Sequence, residues 1–168
     1  MKFKVVATGG TFDHIHKGHA ALLSKSFETG NKVVIGVTSD EFARREGKVP
    51  DQRYDVRVAA LEKWIRENYP GRDYLVAKLD DYFGPGIASP DVQAIVVSEE
   101  TSKRVPIANE LRAKRGFPPL KVVTVEYVLA FDRGPISSTR IRNGEIDKDG
   151  RPAKKTSVKM RRTSARKG

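Results

Sequence analysis

The 168-residue sequence has no cysteine, one tryptophan and only three histidines. Without cysteine no disulfide can staple the fold, and a thiol nucleophile, an iron–sulfur cluster and the cysteine-rich zinc modules are excluded. No apolar run approaches the roughly 18–20 residues a membrane helix needs, and Met1-Lys2-Phe3-Lys4 leads into a short apolar strand rather than a signal core. These absences point to the reducing cytoplasm and to no membrane partner. Length makes up for the missing staples: at roughly 150 residues a chain buries about two thirds of its extended surface, enough for one core.

Acidic charge is also scarce. Lys and Arg number 32 against 21 Asp and Glu, a formal charge of +11. Nine of those cations fall between Lys148 and Gly168, where Asp149 is the only acid, so the tail holds +8 and the body +3. The chain therefore divides into a domain over 1–147 and a basic tail over 148–168. The tail has only Ala153, Val158, Met160 and Ala165 as apolar residues, too few to offset the entropy of ordering it. It is expected to be flexible, and a polycation of this kind suits RNA or acidic lipid. A nucleic-acid-binding module is thus one functional class, although the body shows no RNA-binding motif.

Within the body, Phe3–Ala7, Val33–Val37, Tyr74–Leu79, Ala94–Val97 and Lys121–Val125 read as short buried-type strands. Helical patterns alternate with them: Gly18–Phe27 stopped at Gly30, a short helix capped by Thr38-Ser39-Asp40 and ending before Gly47, Tyr54–Asn68, and Pro106–Arg115. In the third of these, Val58, Leu61, Trp64 and Ile65 share one face, which makes Trp64 a core residue. Val/Ile strands alternating with helices predict an α/β, Rossmann-like open parallel sheet with helices on both faces and right-handed crossovers.

All three histidines, His14, His16 and His19, fall at the turn between the first strand and the first helix. In such sheets ligands bind beyond the carboxyl ends of the strands, where a helix N-terminus favours anions. Gly9, Gly10 and Gly18 allow close backbone approach, and imidazoles can donate to phosphate oxygens. The turn is not a P-loop, since no Gly-Lys-Ser/Thr follows, and Gly-x-Gly-x-x-Gly is missing too. A zinc site on the three histidines and a purely structural cluster are the rival readings. A second segment, Ile136-Ser137-Ser138-Thr139-Arg140-Ile141-Arg142, follows Gly134-Pro135 and opens a predicted helix. It reads either as an ordinary capped helix or as a polyphosphate cradle of hydroxyls, free N–H groups and Arg142.

The run Gly10-Thr11-Phe12-Asp13-His14-Ile15-His16-Lys17-Gly18-His19 resembles the signature Gly-Thr-Phe-Asp-x-x-His-x-Gly-His of the nucleotidyltransferase superfamily, and Ile136–Arg142 resembles its second signature, Ile-Ser-Ser-Thr-x-x-Arg. Val96-Val97-Ser98-Glu99-Glu100-Thr101 is similar to the matching segment of archaeal phosphopantetheine adenylyltransferases and of the adenylyltransferase half of animal CoA synthase. The resemblance covers residues 1 to about 146.

The resemblance implies transfer of the adenylyl group of ATP to 4′-phosphopantetheine, giving dephospho-CoA and pyrophosphate. The motifs alone leave open other phosphate acceptors: nicotinamide mononucleotide, FMN or glycerol phosphate. By the same resemblance His19 and His16 act on the ATP phosphates, and Thr11, with the Phe12 backbone, touches both reacting groups. Ser137, Ser138, Thr139 and Arg142 hold the β- and γ-phosphates, Ile136 is a further ATP contact, Ser98 and Glu99 contact adenosine, and Mg²⁺ accompanies ATP. Lys48 is the candidate for the acceptor phosphate, with Arg44, Arg45, Arg53 or Arg57 as substitutes. Helix capping is the alternative role for Ser98 and Glu99.

Overall fold

The computed structural model describes residues 2–82 and 84–153; the remainder of the basic tail, 154–168, lies outside them. Five strands, β1 (Phe3–Gly10), β2 (Gly30–Thr38), β3 (Asp73–Leu79), β4 (Ala94–Ser98) and β5 (Lys121–Val125), form one sheet in the order β3-β2-β1-β4-β5. Every neighbouring pair is parallel, as the sequence predicts. The chain builds outward from β1 to β3, then returns to add β4 and β5 on the other side of β1. That reversal leaves a crevice at the carboxyl ends of β1 and β4.

Period-two alternation along the strands sorts side chains onto two different faces. On one, Val6, Val33, Ile35, Ala94 and Val96 meet Leu23 and Phe27 of α1 (Lys17–Thr29) and Leu61 and Ile65 of α3 (Tyr54–Asn68). All nine are essentially inaccessible to solvent. Each fully buried Val, Leu, Ile or Phe contributes about 1.5–3 kcal/mol, so this is the main core. Trp64 packs against it with Tyr69, as expected of a core residue. The opposite face carries smaller groups, Ala7, Val92 and Leu120 with Val5, Ile87 and Ile95, beneath α4 (Pro85–Ala88) and α6 (Val105–Lys114).

β1 and β2 run several residues beyond the apolar runs that mark them, and β3 and β4 one residue beyond. β1 continues through Gly9 and Gly10, which pair with Gly36 and Val37, because ladder pairing satisfies the backbone whatever the side chain. β2 begins at Gly30, which ends α1 but is already extended, with φ −117°. Glycine is needed there for closeness of approach: a Cβ would stand 2.6 Å from a methyl of Val6.

After β5 the chain makes a small cluster of Ala130, Ile136 and Ile146 around α7 (Ser138–Arg142). Of the stretch read as a tail, Lys148–Ala153 lies against the body. The Lys148 carbonyl accepts the Lys17 N–H at 3.1 Å, and the Gly150 carbonyl accepts that of Phe131 at 2.8 Å. Among the described residues no helix is long and apolar enough to cross a membrane.

Candidate active site

α1 is capped by a histidine, in the place usually taken by Ser, Thr, Asp or Asn. His16 Nδ1 accepts the N–H groups of Gly18 at 3.0 Å and His19 at 3.3 Å, and His19 Nδ1 accepts the N–H of His16 at 3.3 Å. This is a reciprocal capping box built from two imidazoles. Their rings stack with centroids 3.7 Å apart, and Phe12 lies 5.1 Å from His19. Gly18 is required by that cap, because a Cβ there would stand 2.8 Å from the His16 ring.

The cap decides the protonation of both rings. Each Nδ1 accepts a main-chain N–H, so the proton of each neutral imidazole is assigned to Nε2. Burial, helped by the nearby His14, lowers the His16 pKa to about 4. Burial, followed by the neighbouring His16, holds His19 well below the ordinary histidine value. The pair are therefore neutral Nε2–H donors at neutral pH, and neither supplies an imidazolium proton.

An NMR titration should find both imidazoles still neutral at pH 5.5, with His16 protonating near 4. A midpoint between 6 and 7 for either ring would refute the assignment. Between the lowered folded values and the ordinary unfolded value of 6.5, the unfolded chain binds more protons. Stability from these groups is therefore complete above about 6.5 and declines as pH falls toward 4.

The turn leading to the cap is strained, with Phe12 at φ 54° and His14 at φ 52°. Two buried ions hold it. The Asp13 carboxylate, wholly buried, accepts the N–H of Asp51 at 3.0 Å, that of Gln52 at 3.1 Å and the Arg142 guanidinium at 2.8 Å. The Arg57 guanidinium, equally buried, donates to the carbonyls of Thr11 at 2.6 Å and Gln52 at 3.0 Å and to Asp40 at 2.8 Å. Asp40 belongs to α2 (Asp40–Arg45) and also accepts the first N–H of α3, which has no side-chain cap of its own. Arg57 is thus an internal brace, not the exposed substitute for Lys48 that its charge suggests.

The second motif is joined to the first through Asp13. Ser138 Oγ donates to the Asp13 carbonyl at 2.6 Å, and Arg142 spans from the Asp13 carboxylate to Thr139 Oγ1 at 3.2 Å. Ser137 caps α7 by accepting the Arg140 N–H, and the Ile136 carbonyl lies beside Gly18. The segment is thus a capped helix that adjoins the histidine turn.

Beside the turn a cavity of about 360 Å³ opens on the small-residue face of the sheet. Thr11, Thr38 and Lys48 line one end, with Thr38 Oγ1 donating to Thr11 Oγ1 at 3.2 Å. Its body is apolar, walled by Ala7, Val34, Ile95 and Val97 of the sheet, Ile87 of α4, and Val105 and Ala108 of α6. Glu46, Tyr82 and Arg104 meet at its rim, where the Arg104 guanidinium sits 3.8 Å from the Tyr82 ring centre and Tyr82 OH donates to Glu46. His16 and His19 are outside this wall, but Leu22, three residues along α1 from His19, is part of it.

Thr11, Phe12, His16, His19 and Lys48 thus come together; the Lys48 charge is among the influences that lower the His19 pKa. Ser98 lines the cavity but spends its hydroxyl capping α5 (Glu99–Ser102), accepting the Thr101 N–H at 3.4 Å. Glu99 is exposed and off the cavity wall; Glu100 is on it. The parts played by Asp13, Thr38 and Tyr82, and by Arg57 as a brace rather than a phosphate ligand, are not evident from the sequence. Arg57 left one signal, a cation on the apolar face of α3 beside Val58 and Leu61.

Among the described residues, the one group with ligand atoms within 4.8 Å of one another is Asp13, His14 and Asp51. Both Asp13 oxygens are already committed, and His14 Nε2 lies 2.7 Å from Asp51 Oδ2, so the trio is a hydrogen-bonded network. Among the described residues His14, His16 and His19 do not form such a group.

A Rossmann-like sheet with two linked phosphate-type motifs at its switch point defines a nucleotidyltransferase, and the chain belongs to the cytidylyltransferase-like family, whose model matches residues 7–144. Its relatives carry a narrower name. It is 45% identical over 161 residues to the phosphopantetheine adenylyltransferase of Methanothermobacter thermautotrophicus, covering 96% of either chain. To the phosphopantetheine adenylyltransferase of Methanopyrus kandleri it is 44% identical over 146 residues, covering 87% of this chain and 92% of that one. Among solved structures, a protein of unknown function from Archaeoglobus fulgidus shares the fold with a TM-score of 0.65 at 28% identity, over 82% of this chain and the whole of the other.

Proposed function

We propose that this site transfers the adenylyl group of ATP to the phosphate of 4′-phosphopantetheine, giving dephospho-CoA and pyrophosphate in coenzyme A synthesis. The observation that carries this reading is the apolar cavity that begins at Thr11 and Lys48. A phosphate at that end leaves room behind it for a long, uncharged, largely apolar arm. Glycerol phosphate has no arm to fill such a space, the nicotinamide ring is cationic, and FMN carries a broad planar tricycle. Near-full-length identity to enzymes of this name supports the same choice. The reaction suits a cytoplasmic enzyme without cysteines, to which a thiol substrate cannot become disulfide-linked.

In the reaction an oxygen of the acceptor phosphate forms a bond to the α-phosphorus of ATP, and the bond from that phosphorus to the bridging oxygen of pyrophosphate breaks. The nucleophile is already anionic, so the protein needs no general base. Its task is to hold two polyanions in line and to stabilise charge on the non-bridging oxygens. His19 and His16 suit that task as fixed Nε2–H donors on the α-phosphate side. Lys48 balances the acceptor phosphate, and Thr11 contributes a hydroxyl between the two. Ser137, Ser138, Thr139 and the remaining donors of Arg142 face the departing pyrophosphate, and Ser98 with its neighbours borders the nucleoside. ATP enters as its Mg²⁺ complex. The carboxylates beside the histidine turn, Asp13 and Asp51, are already engaged, so the ion would be held by the nucleotide's own phosphates.

Pyrophosphate release with a panel of acceptors tests the reading. Turnover with 4′-phosphopantetheine should exceed that with nicotinamide mononucleotide, FMN or glycerol 3-phosphate by roughly a hundredfold or more in kcat/KM. No turnover with phosphopantetheine, alongside turnover with another acceptor, would overturn it.

A further inference from the structure

The cavity wall formed by Ile87 of α4 and by Val105 and Ala108 of α6 is held by a single buried cation. Arg112 is 1% exposed. No carboxylate pairs with it among the described residues; its guanidinium is met by main-chain carbonyls alone. Nε donates to Pro118 at 2.8 Å, one terminal nitrogen to Ile87 at 2.7 Å and Ser89 at 2.8 Å, and the other to Val92 at 2.9 Å. Phe117 covers its face with the ring centre at 5.6 Å.

Arginine is suited to this position because four of its five N–H groups find acceptors at once, and no other side chain offers a rigid fork of that reach. The carbonyls it gathers are not arbitrary. Those of Ile87 and Ser89 end α4, whose one turn cannot satisfy them internally. Ile87 is also a cavity wall residue, and Val105 and Ala108 on the same helix as Arg112 form the wall beside it. α4 lies across β1 and β2 without a side-chain cap hydrogen bond at its N-terminus, and beyond the packing of Ile87 it is the Arg112 bonds that fix its C-terminal end.

Resting on the reading above, we propose that Arg112 is a positioning residue for the acceptor: it fixes the α4 wall against which the pantetheine arm lies, without touching substrate or the reacting atoms. The residues assigned to the ATP phosphates, at the histidine turn and α7, share no hydrogen bond with it. Loss of the clamp should therefore separate the two substrates kinetically.

Steady-state kinetics of Arg112→Met and Arg112→Lys, each varied in one substrate at saturating levels of the other, test this. Arg112→Met should raise KM for phosphopantetheine roughly tenfold or more while KM for ATP and kcat stay within about twofold, and Arg112→Lys should fall between it and the wild type. Ile87→Ala, which trims the wall but leaves the clamp, should show the same one-sided rise. Should Arg112→Met fail to fold, the lysine variant carries the test through amide hydrogen exchange, which should quicken in residues 84–92 and not in β1 or α1. Equal changes in both KM values, an unchanged acceptor KM, or unchanged exchange at 84–92 would overturn the proposal. Failure of the function reading is separate: it appears as wild-type protein that does not turn over phosphopantetheine, and the exchange comparison still judges the clamp.

Discussion

Replacing His19 with alanine is expected to lower kcat by about 10²–10³-fold, the usual cost of removing one preorganised donor from a site where negative charge develops. The loss should fall on kcat rather than on the acceptor KM, because the imidazole meets charge that grows in the transition state. Folding should survive. His19 makes one long capping bond, at 3.3 Å, a bond to the His14 main chain, and ring contacts with His16 and Phe12, together worth about 1–2 kcal/mol. His19→Gln is the informative companion, since its amide can place an N–H near the Nε2 position and should recover part of the rate. Pyrophosphate release with saturating substrates, set beside the melting temperature, reads both effects. Turnover of His19→Ala within tenfold of wild type would remove His19 from the chemistry, and a large fall in melting temperature would recast it as a cap.

The same two histidines mark where the sequence is a sufficient guide and where it stops. Short Val/Ile runs separated by helical patterns dictate the strands and their parallel pairing, because only a sheet covered on both faces can bury them. The Gly-Thr-Phe-Asp turn and the Ser-Ser-Thr turn also announce themselves, by residue type and by their place at strand and helix ends. Lone arginines do not. Arg57 reads as a substitute for Lys48 and Arg112 carries no signal, yet both are among the most buried side chains described. Each is accepted by carbonyls from segments up to 46 residues away, and nothing local encodes those partners. His16 as a helix cap is similarly illegible, because imidazole seldom takes that role and does so here only with Gly18 leaving it room. The cavity, too, is a property of packing: it exists because the face beneath α4 and α6 carries alanine and glycine where the other carries larger aliphatics.

Asp13→Ala should be the most destabilising single change in the site. Asp13 lies between Phe12 and His14, both held at positive φ, and among the described residues its carboxylate alone accepts the N–H groups of Asp51 and Gln52. Its removal leaves those donors, and the Arg142 guanidinium, which is 13% exposed, without their anion. Breaking a buried pair from one side costs about 3–5 kcal/mol. For a chain of this size that corresponds to a fall in melting temperature of roughly 10 °C. Activity should fall as well, because the bonds that keep Phe12 and His14 in their strained conformations also hold the turn that feeds the His16 cap and the Ser138 contact. Arg142→Ala should behave differently. The Asp13 carboxylate would keep its two main-chain donors, so stability should fall less while the grip on pyrophosphate weakens. In a double-mutant cycle the pair should therefore show a coupling of about 1–3 kcal/mol, with the double variant less damaged than the two single changes added together. Thermal unfolding of the three variants decides the matter: a melting temperature for Asp13→Ala within about 2 °C of wild type, or strict additivity in the cycle, would mean that the two motifs are held together by something other than Asp13.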